Sequence, residues 1–180
     1  MHKVTAICAA IVLSLIVSAG PAMGQAAGAL PSPPAKANCK FADGKTITVA
    51  YSSPRMRGRK IFGGLVPFGE PWRAGANEAT TFVISTKLKV GDKVVPAGSY
   101  TLFTLPEQSK WTLIVSKQTG EWGIPYPGAE SDFTRTGMKL SSLPSPLENF
   151  TIGFDQTGQT CTLHMDWETT RASVDITEAK

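Results

Sequence analysis

The chain has 180 residues, enough for one domain plus a processing segment, and its 42% hydrophobic and 18% charged residues are those of an ordinary globular protein. That composition excludes a disordered chain, a collagen-like repeat and a multi-span membrane protein. The formal net charge of +4 is too mild for a nucleic-acid binder, which carries a clustered basic stripe on a strongly basic domain.

In chain order, His2 and Lys3 open a polar start, Val4 to Val17 form an almost unbroken apolar run, and Ser18-Ala19-Gly20-Pro21 break it. Ala22 and Gly24 then stand at the −3 and −1 positions of a cleavage site before Gln25. This three-part pattern predicts a secretory signal peptide over 1–24. The apolar run is shorter than the roughly 20 residues a membrane span needs, so no transmembrane segment is expected after cleavage. The mature chain would carry 17 basic and 14 acidic side chains, a net of +3. Residues 25–38 are Ala/Pro-rich with one charge and read as a flexible leader before a single domain at 39–177. An exported protein, periplasmic or secreted, follows.

The mature chain keeps two cysteines, Cys39 and Cys161. In an oxidising compartment an even pair favours a disulfide over two buried thiols. With His164 as the one mature histidine, the chain offers a poor metal-ligand set, and neither a metal site nor a cofactor is expected.

Period-two alternation recurs through the domain. Ile47, Val49 and Tyr51 oppose Thr46, Thr48 and Ala50; Phe82 and Ile84 alternate with Thr81, Val83 and Ser85; Gly91-Asp92 marks a hairpin turn within Leu88–Val95. Ser99–Leu105 is apolar on both faces and is expected centrally, followed by Trp111–Ser116. Further strands are expected at 135–140, 150–155, 160–167 and 172–177, with Pro144-Ser145-Pro146 between the first two. On 160–167, Cys161, Leu163, Met165 and Trp167 share an inward face, which leaves Thr162, His164 and Asp166 to solvent. About eight to ten short strands with no amphipathic helix predict an all-β fold, a single antiparallel β-sandwich of jelly-roll-like or barrel-like form.

Two segments break the alternation. Residues 51–80 hold the basic cluster Arg55, Arg57, Arg59 and Lys60, five glycines, and the string Trp72-Arg73-Ala74-Gly75-Ala76-Asn77-Glu78; residues 117–134 combine Gly, Pro and aromatics without a period. Long ordered loops in a compact domain are often functional. The run from Tyr51-Ser52-Ser53-Pro54 through Gly58–Pro67 to Trp72–Thr80, with Val95–Tyr100, the Trp111 strand and Glu121-Trp122-Gly123, resembles the bacterial domain of unknown function 2911 over roughly 39–177. The resemblance implies an exported protein of a Gram-negative bacterium with no established activity and assigns no catalytic residue.

Taken on their own chemistry, Arg59, Trp72, Arg73, Asn77, Glu78 and Trp122 are the candidate ligand-binding residues: a guanidinium, an amide and a carboxylate beside an indole suit a sugar or a small carboxylated ligand. The competing reading has Arg73, Asn77 and Glu78 tying the loop to itself. Trp111 is expected in the core, while Trp122, Tyr126 and Phe133 stand as possible members of a sugar-binding surface. Three functions stay open: a non-catalytic sandwich binding a small ligand, glycan or envelope component; a hydrolase of envelope polysaccharide or peptide using Glu78, which needs a second carboxylate across a cleft, with Glu121 or Asp132 as candidates; and a structural envelope module.

Overall fold

The structure, a computed structural model, describes residues 30–179. The signal peptide predicted at 1–24, and residues 25–29 of the leader, lie outside the described residues. Nine strands form one antiparallel order: β1 (Pro34–Lys40), β2 (Thr46–Ser52), β3 (Thr80–Ile84), β4 (Leu88–Val90), β5 (Lys93–Val95), β6 (Gly98–Pro106), β7 (Trp111–Ser116), β8 (Asp132–Thr157) and β9 (Thr160–Glu178) run β1-β2-β3-β6-β7-β8-β9-β4-β5 across the sheet. The sheet curls over itself without closing into a barrel, as a β-sandwich does. Among the described residues the sole helical element is a 3-10 turn at Ala129–Ser131, and no helix is long and apolar enough to cross a membrane.

The alternating segments become strands with the expected faces inward: Ile47 and Val49 are fully buried on β2, and Phe82 and Ile84 on β3. β6 is apolar on both faces for a physical reason. Tyr100 and Leu102 enter the main core, while Phe103 turns outward to a second cluster with Ala79 and Ile114, roofed by Tyr126 at 5.1 Å between ring centroids.

Two expectations need correction. The leader does not stay outside the fold, because Pro34–Asn38 pair with Thr48–Ser52 as the start of β1. Its burial is carried by the small side chains Ala37 and Cys39, so it lacks the bulky alternation that marks its neighbours. The strands are also not uniformly short. β8 runs 26 residues and β9 runs 19. Pro144 and Pro146 fall where the β8–β9 register breaks between Ser142 and Leu147, the place in a ladder that tolerates a missing N–H.

β9 carries the sharper irregularity. Up to Trp167 its odd-numbered residues face the core; beyond Glu168, at φ 54, the even-numbered Ala172, Val174 and Ile176 do. One residue of slip exchanges the faces of a strand. The strand also doubles back there: Thr162 donates to Asp175 at 2.6 Å, although 13 residues of straight strand would hold them roughly 43 Å apart.

That reversal brings Arg171 onto Asp166, with Nε and Nη2 donating at 2.8 and 2.6 Å and Nη1 reaching Asp155 at 3.2 Å. His164 Nδ1 stands 3.1 Å from Asp166, and the ring lies over Gly153, where a Cβ would come within 2.6 Å of it. His164 and Asp166 are therefore buried, not on the solvent face. The space above Gly153 belongs to β8 and the arrival of Arg171 depends on the reversal within β9, so alternation on a straight β9 could not show them.

Cys39 and Cys161 form a disulfide that ties β1 to β9 across 122 residues. Chain-entropy arguments assign a closure of that length roughly 4–5 kcal/mol. Replacing both cysteines by alanine is expected to lower unfolding free energy by about 4 kcal/mol in urea; no change would mean that strand packing alone fixes β1. A second expectation concerns pH. Burial by itself would raise the Asp166 pKa, but His164 and Arg171 outweigh it and hold the carboxyl below its ordinary 3.8. A depressed pKa gives stability present above the unfolded carboxylate's range and lost as pH falls through the folded value. Asp166→Asn is thus expected to cost about 3 kcal/mol near neutral pH, with the gap to the parent closing in acid below the ordinary carboxylate range. A gap independent of pH would show that Asp166 is not ionised in the folded protein.

Candidate functional site

The irregular segment between β2 and β3 closes an open end of the sandwich. Its tightest part is the turn at 60–66, where Leu65 N–H bonds the Lys60 carbonyl (3.1 Å), Val66 N–H the Ile61 carbonyl (2.9 Å) and Gly63 N–H the Val66 carbonyl (2.9 Å). Gly63 sits at φ 78, and a Cβ on Gly64 would fall 2.6 Å from the Lys60 carbonyl oxygen. The turn drives Ile61, Phe62 and Val66 into the core and leaves Leu65 at its exposed tip.

Trp72 is the second anchor. Its N–H and C=O pair with Thr104 on β6 at 2.7 and 2.8 Å, beyond the Leu102 position where β3 pairing ends. Its indole stacks on Trp167 (centroids 5.9 Å, 19° between planes) and meets Phe150 edge-on at 4.9 Å. Phe62 lies among Trp72, Trp111 and Trp167. Trp111 is in the core, as expected.

After Trp72 the chain reverses through Ala74 (φ 49) and Asn77 (φ 58). Thr80 Oγ1 donates to the Ala74 carbonyl (2.8 Å), and Asn77 Nδ2 donates to Ser52 Oγ (3.1 Å) and the Ser32 carbonyl (3.2 Å). The second loop clasps this reversal from outside. Ala79 N–H bonds the Glu121 carbonyl (3.1 Å), Arg73 Nη1 donates to the Trp122 carbonyl (3.3 Å), and the Arg73 guanidinium lies 5.3 Å from the centre of the Trp122 ring. Gly123, at φ 78, has Ala79 and Arg73 so close that a Cβ would meet their side chains at 2.9 and 3.1 Å.

Between the two loops is a groove of about 300 Å³, lined by Arg59, Leu65, Trp72, Arg73, Ile124 and the buried Trp167, with Ser32, Pro54, Gly75 and Ala76 supplying further wall. An adjoining depression of about 360 Å³ shares Leu65, Trp72 and Ile124 and continues past Glu70 to Tyr126. The Arg73 Nε is buried with no hydrogen-bond partner. Burial lowers the Arg73 pKa while Glu78 acts the other way; an arginine so shifted is still cationic at neutral pH.

The candidate residues divide. Arg59, Trp72 and Arg73 line one groove, and Trp122 supports Arg73 at its side. Asn77 holds the loop and is not in the groove. Glu78 is exposed on a separate shallow depression with Pro34, Ala50 and Tyr51, whose lining has no second carboxylate. The aromatics named for a sugar-binding surface disperse: Phe133 packs on Tyr100, and Tyr126 covers Phe103 while its hydroxyl bonds Asp132. Burial and the Asp132 carboxylate push the Tyr126 phenol up to about 12, so it does not exchange protons near neutrality. No cluster of His, Cys, Asp and Glu suited to a metal ion occurs among the described residues.

Sequence reasoning missed the apolar walls Leu65 and Ile124, and it named Glu121 only as a possible second carboxylate for Glu78; the Glu121 Oε1 is buried without a partner and burial raises its pKa. A large apolar residue between glycine and proline, as in Gly123-Ile124-Pro125, or at the end of Gly63-Gly64-Leu65, is the signal that was available. In the basic cluster, Arg55 Nη1 donates to the Ser53 carbonyl and Oγ, and Arg59 Nε and Nη2 donate to the Met56 and Arg55 carbonyls. Among the described residues, Arg55, Arg57, Arg59, Lys60 and Arg73 form no ion pair with a carboxylate.

The chain belongs to the family of proteins of unknown function DUF2911, whose model matches residues 32–176. The match takes in both loops and begins just before β1. No curated protein and no solved structure matches the chain.

Gly123→Ala is expected to destabilise the protein by about 2 kcal/mol, adding crowding to the strain of a left-handed residue. Gly120→Ala, at φ 72 with nothing near its Cβ, carries the strain alone and should cost about 1 kcal/mol. Equal urea midpoints for the two variants would show that the contact with Arg73 and Ala79 does not hold the loops together.

Proposed function

We propose that this protein is an exported, non-catalytic β-sandwich that takes a small anion with an apolar body into the groove between the 53–79 and 117–131 loops. The observation that carries the reading is Arg73: a guanidinium whose buried Nε has no partner, at the side of a cavity walled by Leu65, Trp72 and Ile124. An unsatisfied buried donor costs about 1–3 kcal/mol, and a ligand carboxylate, sulfonate or phosphate that draws the guanidinium toward the groove offsets that cost on binding. The indoles of Trp72 and Trp167 supply an apolar bed, and the combined volume is at the small-molecule end of the usual range. Export is supported by the signal-peptide pattern and by a disulfide that suits an oxidising compartment.

The hydrolase reading has less support, because Glu78 stands apart from this groove and no second acid lines its own depression. A glycan is disfavoured by the lack of a continuous aromatic platform.

The test uses anilinonaphthalene sulfonate as a fluorescent probe on the folded protein, displaced by decanoate or by decanol. Decanoate is expected to compete at least about tenfold better than decanol, and Arg73→Met to erase that preference while leaving the urea midpoint near the parent's. Equal competition by the two, or a preference that survives Arg73→Met, contradicts the reading.

A further inference from the structure

Eight large apolar side chains are exposed among the described residues, and five of them border the same end of the sandwich. Ile124 (64% exposed) and Leu65 (45%) line the groove from different loops; Trp122 (55%) lies beneath Arg73; Phe68 packs against the Gly63 turn; Leu30 precedes Ser32 of the groove wall. The other three, Val83, Val94 and Phe133, fall singly on β3, β5 and β8, as isolated apolar residues commonly do.

The same end carries the cations. Arg57, Arg59 and Lys60 are exposed and their side chains form no ion pair among the described residues; the Arg57 backbone N–H bonds the Glu148 carboxylate at 2.9 Å, and its Nη2 reaches only the Pro31 carbonyl. Segment 52–79 holds five basic residues against Glu70 and Glu78. The facing loop returns three acids: Asp132 at its end is engaged by Arg135 at 2.6 Å, one oxygen of Glu121 is buried, and Glu130 is exposed, so the cations of this end still outnumber its free carboxylates. Apolar tips ringed by unpaired cations, with an indole between them, match the layering of a lipid surface: acyl boundary, interfacial aromatic, phosphate.

We infer that this end of the sandwich docks on a bilayer that carries anionic lipid, with Leu65, Trp122 and Ile124 entering the headgroup–acyl boundary and Arg57, Arg59 and Lys60 meeting lipid phosphates. The charge complementarity selects a lipid surface over a second copy of this chain, whose own basic rim would repel it. Docking is a property of the rim and does not require that the groove hold a soluble ligand.

Co-sedimentation of the protein with vesicles tests it, using phosphatidylcholine alone and an equal mixture of phosphatidylcholine with phosphatidylglycerol. The protein is expected to partition onto the mixed vesicles, with tryptophan emission moving to the blue, and to leave them at high salt. Leu65→Asp with Ile124→Asp should abolish partitioning; Arg57→Gln and Lys60→Gln should each weaken it about fivefold. Arg73→Met should leave it in place. Both apolar positions are exposed, and urea midpoints near the parent's confirm that the variants fold. No partitioning, equal partitioning onto both vesicle types, or partitioning unaffected by the paired aspartates overturns the inference. Probe binding without vesicle binding would sink the docking surface and leave the groove standing.

Discussion

The stacking of Trp72 on Trp167 is the contact on which the functional end of this molecule depends. Trp167 comes from β9, the strand that turns its faces over at Glu168, and Trp72 comes from a segment with almost no regular structure. Without a bulky side chain there, the edge of β6 past Leu102 would lack a neighbour. Trp72 supplies both the missing backbone pairing and the ring that fills the space among Phe62, Phe150 and Trp167. Aromatic side chains bury some 150–250 Å² each, so this cluster is what offsets the entropy of ordering so glycine-rich a loop.

The groove follows from that anchor. Once Trp72 is fixed, Arg73 must leave the core on the opposite side, where it finds the Trp122 ring and carbonyl but nothing for its Nε. The positive-φ residues Ala74 and Asn77 then turn the chain away before Glu78 can reach the same space. This is why neighbours in sequence part company in the fold. Arg73 and Asn77, four residues apart, serve a cavity and a turn respectively.

Much of the scaffold was legible because bulky alternating residues on β2, β3, β6 and β7 announce their own faces. β1 was not, since Ala37 and Cys39 are too small to distinguish a strand from a leader. The length of β9 and the burial of His164 were hidden for another reason: each depends on how the chain bends, which returns Arg171 onto Asp166 five residues before it and sets Gly153 of β8 beneath the His164 ring. In the candidate site, the charged and aromatic members Arg59, Trp72, Arg73 and Trp122 were visible by composition. The walls Leu65 and Ile124 were not, because an exposed apolar residue in a loop has no period to betray it. The family match over 32–176 takes in the strings around Trp72 and Trp122, and the geometry gives these a shared physical purpose, since the Gly123 backbone passes close against Arg73 and Ala79.

The side-chain Nε–H of Arg73, observed by NMR in the folded protein, bears most directly on the groove. A buried donor awaiting an anion should give a slowly exchanging signal that moves when decanoate is added and stays still with decanol. A rapidly exchanging signal indifferent to both would mean that Arg73 is a solvated surface cation resting on Trp122, and that the groove does not select its contents by charge.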